Sequence, residues 1–260
     1  MTPVLLMTTF GLGLGLAASS NTAPYYTEAS IANTAASIAN FYAPNTFVTI
    51  YGVNLAYVTK AMTADDISGN VLPTALIGTG VRVLVNQIAA DIYYVSPSQI
   101  NLLIPTLLIG GPATVQVEVD GLAGPPVTIM LGATAPALFQ LDASTVLATH
   151  LDGSKVTANA PASGGEVVVL YGSGLGPTVP AAIPNQLPTS LAVVAAGDFQ
   201  VQLNGVAVDP TRIVYAGVVP GYAGLYQVNL WLPADAPQNP EVRVGTAEQM
   251  SPPQLYLPVQ

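Results

Sequence analysis

Seven residues occur twice in this chain. Gln99-Ile100-Asn101-Leu102-Leu103-Ile104-Pro105 returns as Gln227-Val228-Asn229-Leu230-Trp231-Leu232-Pro233. Each copy is a Gln, a β-branched residue, an Asn, three large apolar residues and a closing Pro. A run this short and apolar, stopped by Pro, reads as a strand buried on at least one face. Ile100, Leu102 and Ile104, and then Val228, Leu230 and Leu232, are its expected core residues. Its amides need hydrogen-bond partners. Gln99, Asn101, Gln227 and Asn229 are therefore expected to face outward or to bond neighbouring loops.

The flanks repeat as well. Glu166–Leu175 matches Phe47–Leu55, Leu187-Pro188-Thr189 matches Leu72-Pro73-Thr74, and Phe199–Gly205 matches Val81–Gln87. Ile213–Tyr215 matches Ile92–Tyr94, Glu241–Val244 matches the Val115–Val119 run, and Gln254–Leu257 stands for Val127–Leu131. Copy two alone inserts Val219–Leu225. Thr114–Val119 alternates apolar and polar residues, and its following Asp120-Gly121 is a hairpin signal. Each half carries about seven short strands with turn signals between them, the pattern of an Ig-like sandwich. The expected fold is all-β: two tandem Ig-like antiparallel β-sandwiches with an extended N-terminal segment. The expected boundaries are 45–132 for the first sandwich, 133–164 for a linker with a short hairpin, and 165–260 for the second sandwich. Residues 21–44 form the extended lead-in, with one short strand. The Cys…Trp…Cys pattern of immunoglobulin domains is absent, since Trp231 is the only Trp and there is no Cys.

Residues 1–20 are apolar and uncharged. They resemble the h-region and small-residue cleavage site of a secretory signal peptide, although the basic n-region is missing. A retained hydrophobic arm is the alternative.

Composition excludes several function classes. Charged residues are only 7% of the 260, and the net charge is −9 with five Lys plus Arg. No basic patch for nucleic acid can be assembled from so few cations, and a polybasic membrane site fails for the same reason. The absence of Cys removes disulfides, thiol nucleophiles and Cys-ligated metals. A surface so poor in charge repels its own copies weakly, which favours self-association.

Ser30-Ile31-Ala32-Asn33, Tyr51-Gly52, Tyr94-Val95-Ser96-Pro97-Ser98-Gln99-Ile100-Asn101, Gly174-Leu175-Gly176-Pro177 and Gly224-Leu225-Tyr226-Gln227-Val228-Asn229 form a specific set. From about Asn21 onward, the chain resembles the C-terminal module that acidobacteria append to many large secreted proteins. The resemblance implies export, an extracellular or cell-surface location and no catalytic residues. Read as a stand-alone module, the chain would have to act by itself or by assembling.

Candidate chemistry is thin. His150 is the only His, and it lies near Asp142 and Asp152 without a metal-ligand cluster. Gly172-Ser173-Gly174 closes a strand and lacks the following helix of a nucleophile elbow. Asp65-Asp66 and Asp152-Gly153-Ser154 lack calcium-loop spacing. Tyr51, Tyr94, Tyr171 and Tyr215 recur at matching positions, which reads as core or corner placement. No catalytic, cofactor or metal residues are expected.

Two functions follow. The first is a non-enzymatic extracellular protein that assembles with copies of itself into a filament or surface layer. Tyr25, Tyr26, Ile31 and Ile38 would be donated to a neighbour's sheet edge. The second is an adhesin or binding module that engages a glycan or another surface protein through its loops, with Tyr222 and Trp231 as test sites.

Overall fold

The computed structural model describes residues 22–260, so the reading of residues 1–20 lies outside the described residues. The first ten strands are β1 (Ile31–Asn33), β2 (Phe47–Tyr51), β3 (Lys60–Ala61), β4 (Val81–Val85), β5 (Ile88–Ala89), β6 (Asp91–Ser96), β7 (Gln99–Leu103), β8 (Gly111–Val119), β9 (Leu122–Ala123) and β10 (Val127–Leu131). The next ten are β11 (Ala137–Leu138), β12 (Ala148–Thr149), β13 (Val167–Ser173), β14 (Thr178–Val179), β15 (Ala192–Val194), β16 (Gln200–Leu203), β17 (Val206–Ala207), β18 (Ile213–Val218), β19 (Tyr226–Trp231) and β20 (Val242–Gly245).

The first sandwich packs the sheet β1-β2-β7-β6-β3 on the sheet β10-β8-β4-β5, with β9 beside β8. The second packs the sheet β13-β19-β18-β15-β14, with β11 and β12 both on the free side of β13, against β17-β16-β20. The named strands pair antiparallel, and each sandwich encloses its own core. The duplicated run is the central strand of its sheet both times. Ile100, Leu102 and Ile104 are buried in the first core, and Val228, Leu230 and Leu232 in the second. Alternation at period two sends the amides to the opposite face. There they bond along the strand: Gln99 Nε2 donates to Asn101 Oδ1 at 2.8 Å, and Gln227 Nε2 to Asn229 Oδ1 at 2.6 Å. Even the irregularities repeat. A register shift between Ile92 and Tyr94 recurs between Ile213 and Tyr215. Asp120 and Gly121 turn with φ of 48° and 81°, as a two-residue hairpin requires.

Three expectations are corrected. The segment 21–44 is not a free lead-in. Ile31–Asn33 pairs with Val48–Ile50 of its own sheet, and Tyr26, Ile31 and Tyr42 are buried in the first core. The segment 133–164 is not a linker either. Leu138, Val146, Ala148, Val156 and Ala162 belong to the second core. The two segments are equivalent. Tyr25 bridges Val53 as Ala137 pairs with Ser173, and Ile31 faces Ile50 as Ala148 faces Leu170. Each is the opening strand of its own repeat, folded back on the strand that follows. Finally, the recurring tyrosines are not core residues. Tyr51 is 50% exposed and sits opposite Gln99, and Tyr171 sits opposite Gln227. They share the outward face with the amides.

The sandwiches meet through loops. Leu72 N donates to Asn185 O and Leu187 N to Asn70 O, both at 2.8 Å, while Val71 bridges Gln186. Leu72 and Leu187 are the same position of the two repeats, so equivalent loops pair with each other. The insertion peculiar to copy two completes the contact. Its Ala223 clusters with Leu72 and Leu103, with Phe47, Met62, Tyr93 and Leu187 packed around them. A Cβ on Gly224, whose φ is +75°, would lie 2.3 Å from Leu103 Cδ1.

Candidate functional site in the cleft between the sandwiches

Phe47 N donates to Ser173 Oγ, and Tyr93 Oη to Ala223 O, so strand ends of one sandwich are tied to the other. The remaining space is a cleft with two adjoining cavities of about 120 and 320 Å³. On this measure a single water needs roughly 10–15 Å³, so both are roomy. Asn45, Thr106, Thr178, Ala181 and Ala182 line both cavities.

Asp91 lines the smaller cavity. It opens β6 opposite Leu103 and is only 6% exposed. Asn185 of the second sandwich donates to its Oδ1 at 2.7 Å. None of the five Lys and Arg residues lines either cavity. Burial without a cation pushes the Asp91 carboxyl up to about 6, and the Asn185 bond opposes that rise. The neighbouring Tyr93 phenol is pushed up by burial and then by the Asp91 charge. Thr106 Oγ1 is buried without a hydrogen-bond partner, which is the exceptional state for an interior hydroxyl. Tyr226, against the larger cavity, donates to Gly176 O and accepts from Asn45 Nδ2; burial pushes its phenol up to about 12. Exposed apolar side chains also line the cleft: Ile109, 84% exposed, at the larger cavity and Ile183, 60% exposed, at the smaller.

Leu103, Leu187-Pro188-Thr189, Gly176-Pro177 and Tyr226 of the repeated motifs line this cleft, but Tyr25, Tyr26, Ile31, Ile38, Tyr222 and Trp231 do not. Tyr26 donates to Pro125 O at 2.7 Å and accepts from Val117 N, so it is locked inside the first sandwich. Ile31 is buried with it, while Tyr25 and Ile38 are exposed. Two of the four residues expected to be donated are thus already used within their own fold. Tyr222 and Trp231 stand before and at the end of β19. Tyr226 to Trp231 alone spans roughly 17 Å of strand, so the two aromatics form no common platform. Trp231 instead donates Nε1 to Gly165 O and lies against Arg212, 5.4 Å from the ring centroid.

His150 Nδ1 bonds Glu166, and Nε2 faces the Ala160 carbonyl at 3.3 Å. The Glu166 bond raises the His150 pKa. Both ring nitrogens are turned to Glu166 and Ala160, and no Ser is among their partners. Asp152 is occupied by Ser154, Asp66 by Lys60, and no cluster of three His, Cys, Asp or Glu suited to a metal occurs among the described residues. Among the described residues, no helix is long and apolar enough to cross a membrane.

One signal for the cleft was present in the sequence. Asp91 interrupts the run Ile88-Ala89-Ala90-Asp91-Ile92 in a chain with few charges. Its partner Asn185, 94 residues away, carried none.

No family model and no curated protein matches the chain. Among solved structures, it is similar to the surface glycan-binding protein PbSGBP-B of Prevotella bryantii. That match has 12% identity and a TM-score of 0.28, covering 86% of this chain and 40% of that one. It is similar to the adhesin InvE of Yersinia pseudotuberculosis at 12% identity and a TM-score of 0.22, covering 91% and 58%. The tandem Ig repeats of Dlar match at 11% and 0.19, covering 92% and 96%. The chain spans half or less of the first structures it matches. Likeness at these scores says nothing of what this chain binds.

Proposed function

We propose that this chain is a non-catalytic extracellular binding module whose ligand sits in the cleft between the two sandwiches. The observation that carries the reading is the pairing, at one cavity, of a buried carboxylate that has no cation with a buried hydroxyl that has no partner. Both states cost free energy, and a ligand would relieve both. The resemblance to acidobacterial secreted modules supports export and a surface location.

Self-assembly by edge pairing has less support. β3, β5, β14 and β17 at sheet edges are two residues long and β1 is three, which leaves β10 with five and β20 with four as the longer edges. Most edges are thus too short to offer many unpaired backbone groups to another chain.

The test is a ligand screen by saturation-transfer NMR on the full chain, covering glycans and small polar fragments, repeated with Ala181→Trp. Ala181 is exposed and lines both cavities, so the indole should block the cleft without disturbing either core. Ligands lost with Ala181→Trp support the reading. Ligands that all survive it, or electron micrographs of polymers whose growth ignores it, overturn the reading.

A further inference from the structure

We propose that the cleft takes a primary ammonium group on a short aliphatic stem; this rests on the cleft reading above. The smaller cavity contains an anion, Asp91, and among the described residues no Lys, Arg or His lines it. The Lys and Arg residues are Lys60, Arg82, Lys155, Arg212 and Arg243. Lys60 is spent on Asp66, Arg212 on the Leu232 carbonyl and Arg243 on the Ser251 carbonyl. A buried carboxylate without a cation partner favours a ligand that returns the missing positive charge.

Donor geometry narrows the choice. An ammonium offers three donors to acceptors that need not be coplanar. The Asp91 carboxylate supplies one such acceptor, and Thr106, Thr178 and Ser190 line the same cavity. A guanidinium wants both oxygens of one carboxylate in a fork, and Asn185 already takes one acceptor position on Asp91 Oδ1. A quaternary ammonium wants a cage of aromatic faces, and no aromatic residue lines the smaller cavity. Saccharides bound in clefts also lean on aromatic faces, so the same absence disfavours them. Leu103, Leu187, Ala181, Ala182 and Ala223 in the lining suit methylene groups, beside the polar Asn45, Thr178, Gln186, Thr189 and Ser190.

The ammonium can be a free alkylamine or a lysine side chain presented by a peptide. The full chain is titrated calorimetrically with n-butylammonium, Nα-acetyl-lysine methylamide, neutral n-butanol and tetramethylammonium. n-Butylammonium should bind roughly ten-fold or more tightly than n-butanol, the ratio set by one charge-assisted hydrogen bond. Asp91→Asn retains an acceptor for Asn185 and should erase that preference. Ala181→Trp should abolish binding altogether. Binding by the lysine amide but not the free amine assigns the source to a peptide, and the reverse assigns it to a small amine. Equal binding of n-butanol, or a preference that survives Asp91→Asn, overturns the ammonium inference while leaving the cleft a ligand site. Amine binding that ignores Ala181→Trp overturns both. No binding by any of the four overturns the inference, and the wider screen then decides the cleft.

Discussion

Asp91 combines a raised pKa with near-complete burial, and this gives the chain an acid response opposite to that of a salt-bridged carboxylate. Its folded value is about 6 against 3.8 unfolded, so the folded state holds the proton more tightly. The stability linked to this group is therefore fully present below about pH 4 and is lost as pH rises through 6. Thermal melts should show Tm rising as pH falls from about 7 to 5, a gain in stability of at most on the order of 2 kcal/mol. Asp91→Asn should be at least as stable as the parent at neutral pH and should lack this rise. A parent curve flat across that window would place Asp91 in a wetter site than its burial indicates. His150 gives a second check. Glu166→Gln removes the largest cause of its raised pKa, so the imidazole resonance should titrate at lower pH than in the parent.

The opening strands are where sequence and structure part, and the reason is local. β11 and β12 are two residues each, too short for a period to be legible. Capture of each opening segment depends on a glycine in or just beyond the strand it joins. A Cβ on Gly52 would lie 2.4 Å from Tyr25 O, and one on Gly172 2.7 Å from Ala137 O. Gly52→Ala should push the first strand away. Amide exchange should quicken at Tyr25 and Val53, which bond each other in both directions at 3.0 Å, with a loss of about 1–3 kcal/mol. Leu138→Ala should cost about 2–5 kcal/mol, measured by urea melts, because the segment 133–164 is core. A surface linker would tolerate the change with almost no loss. The central strands, by contrast, were legible. Ile100, Leu102 and their counterparts in copy two alternate cleanly with amides, and Pro105 and Pro233 mark the ends.

At the scale of the whole molecule, the insertion Val219–Leu225 joins two sandwiches that each own a core. Gly224→Ala adds a methyl against Leu103 and Phe47 at a positive φ and should weaken that junction. Calorimetry should then show one cooperative transition broadening into two, with the cleft's ligand binding weakened in parallel. A single sharp transition at the parent temperature would mean that the paired loops at Leu72 and Leu187 suffice. The chain by itself determined the duplication, the all-β class and the core of each central strand. These follow from period, turn chemistry and the repeated words, which are local properties. Only the tertiary structure decided that the segments flanking the first repeat are opening strands. It also decided that Asp91, Thr106 and Asn185 share one cavity. Asp91 and Asn185 stand 94 residues apart, and whether a lone carboxylate is solvated or enclosed depends on which distant loops close over it.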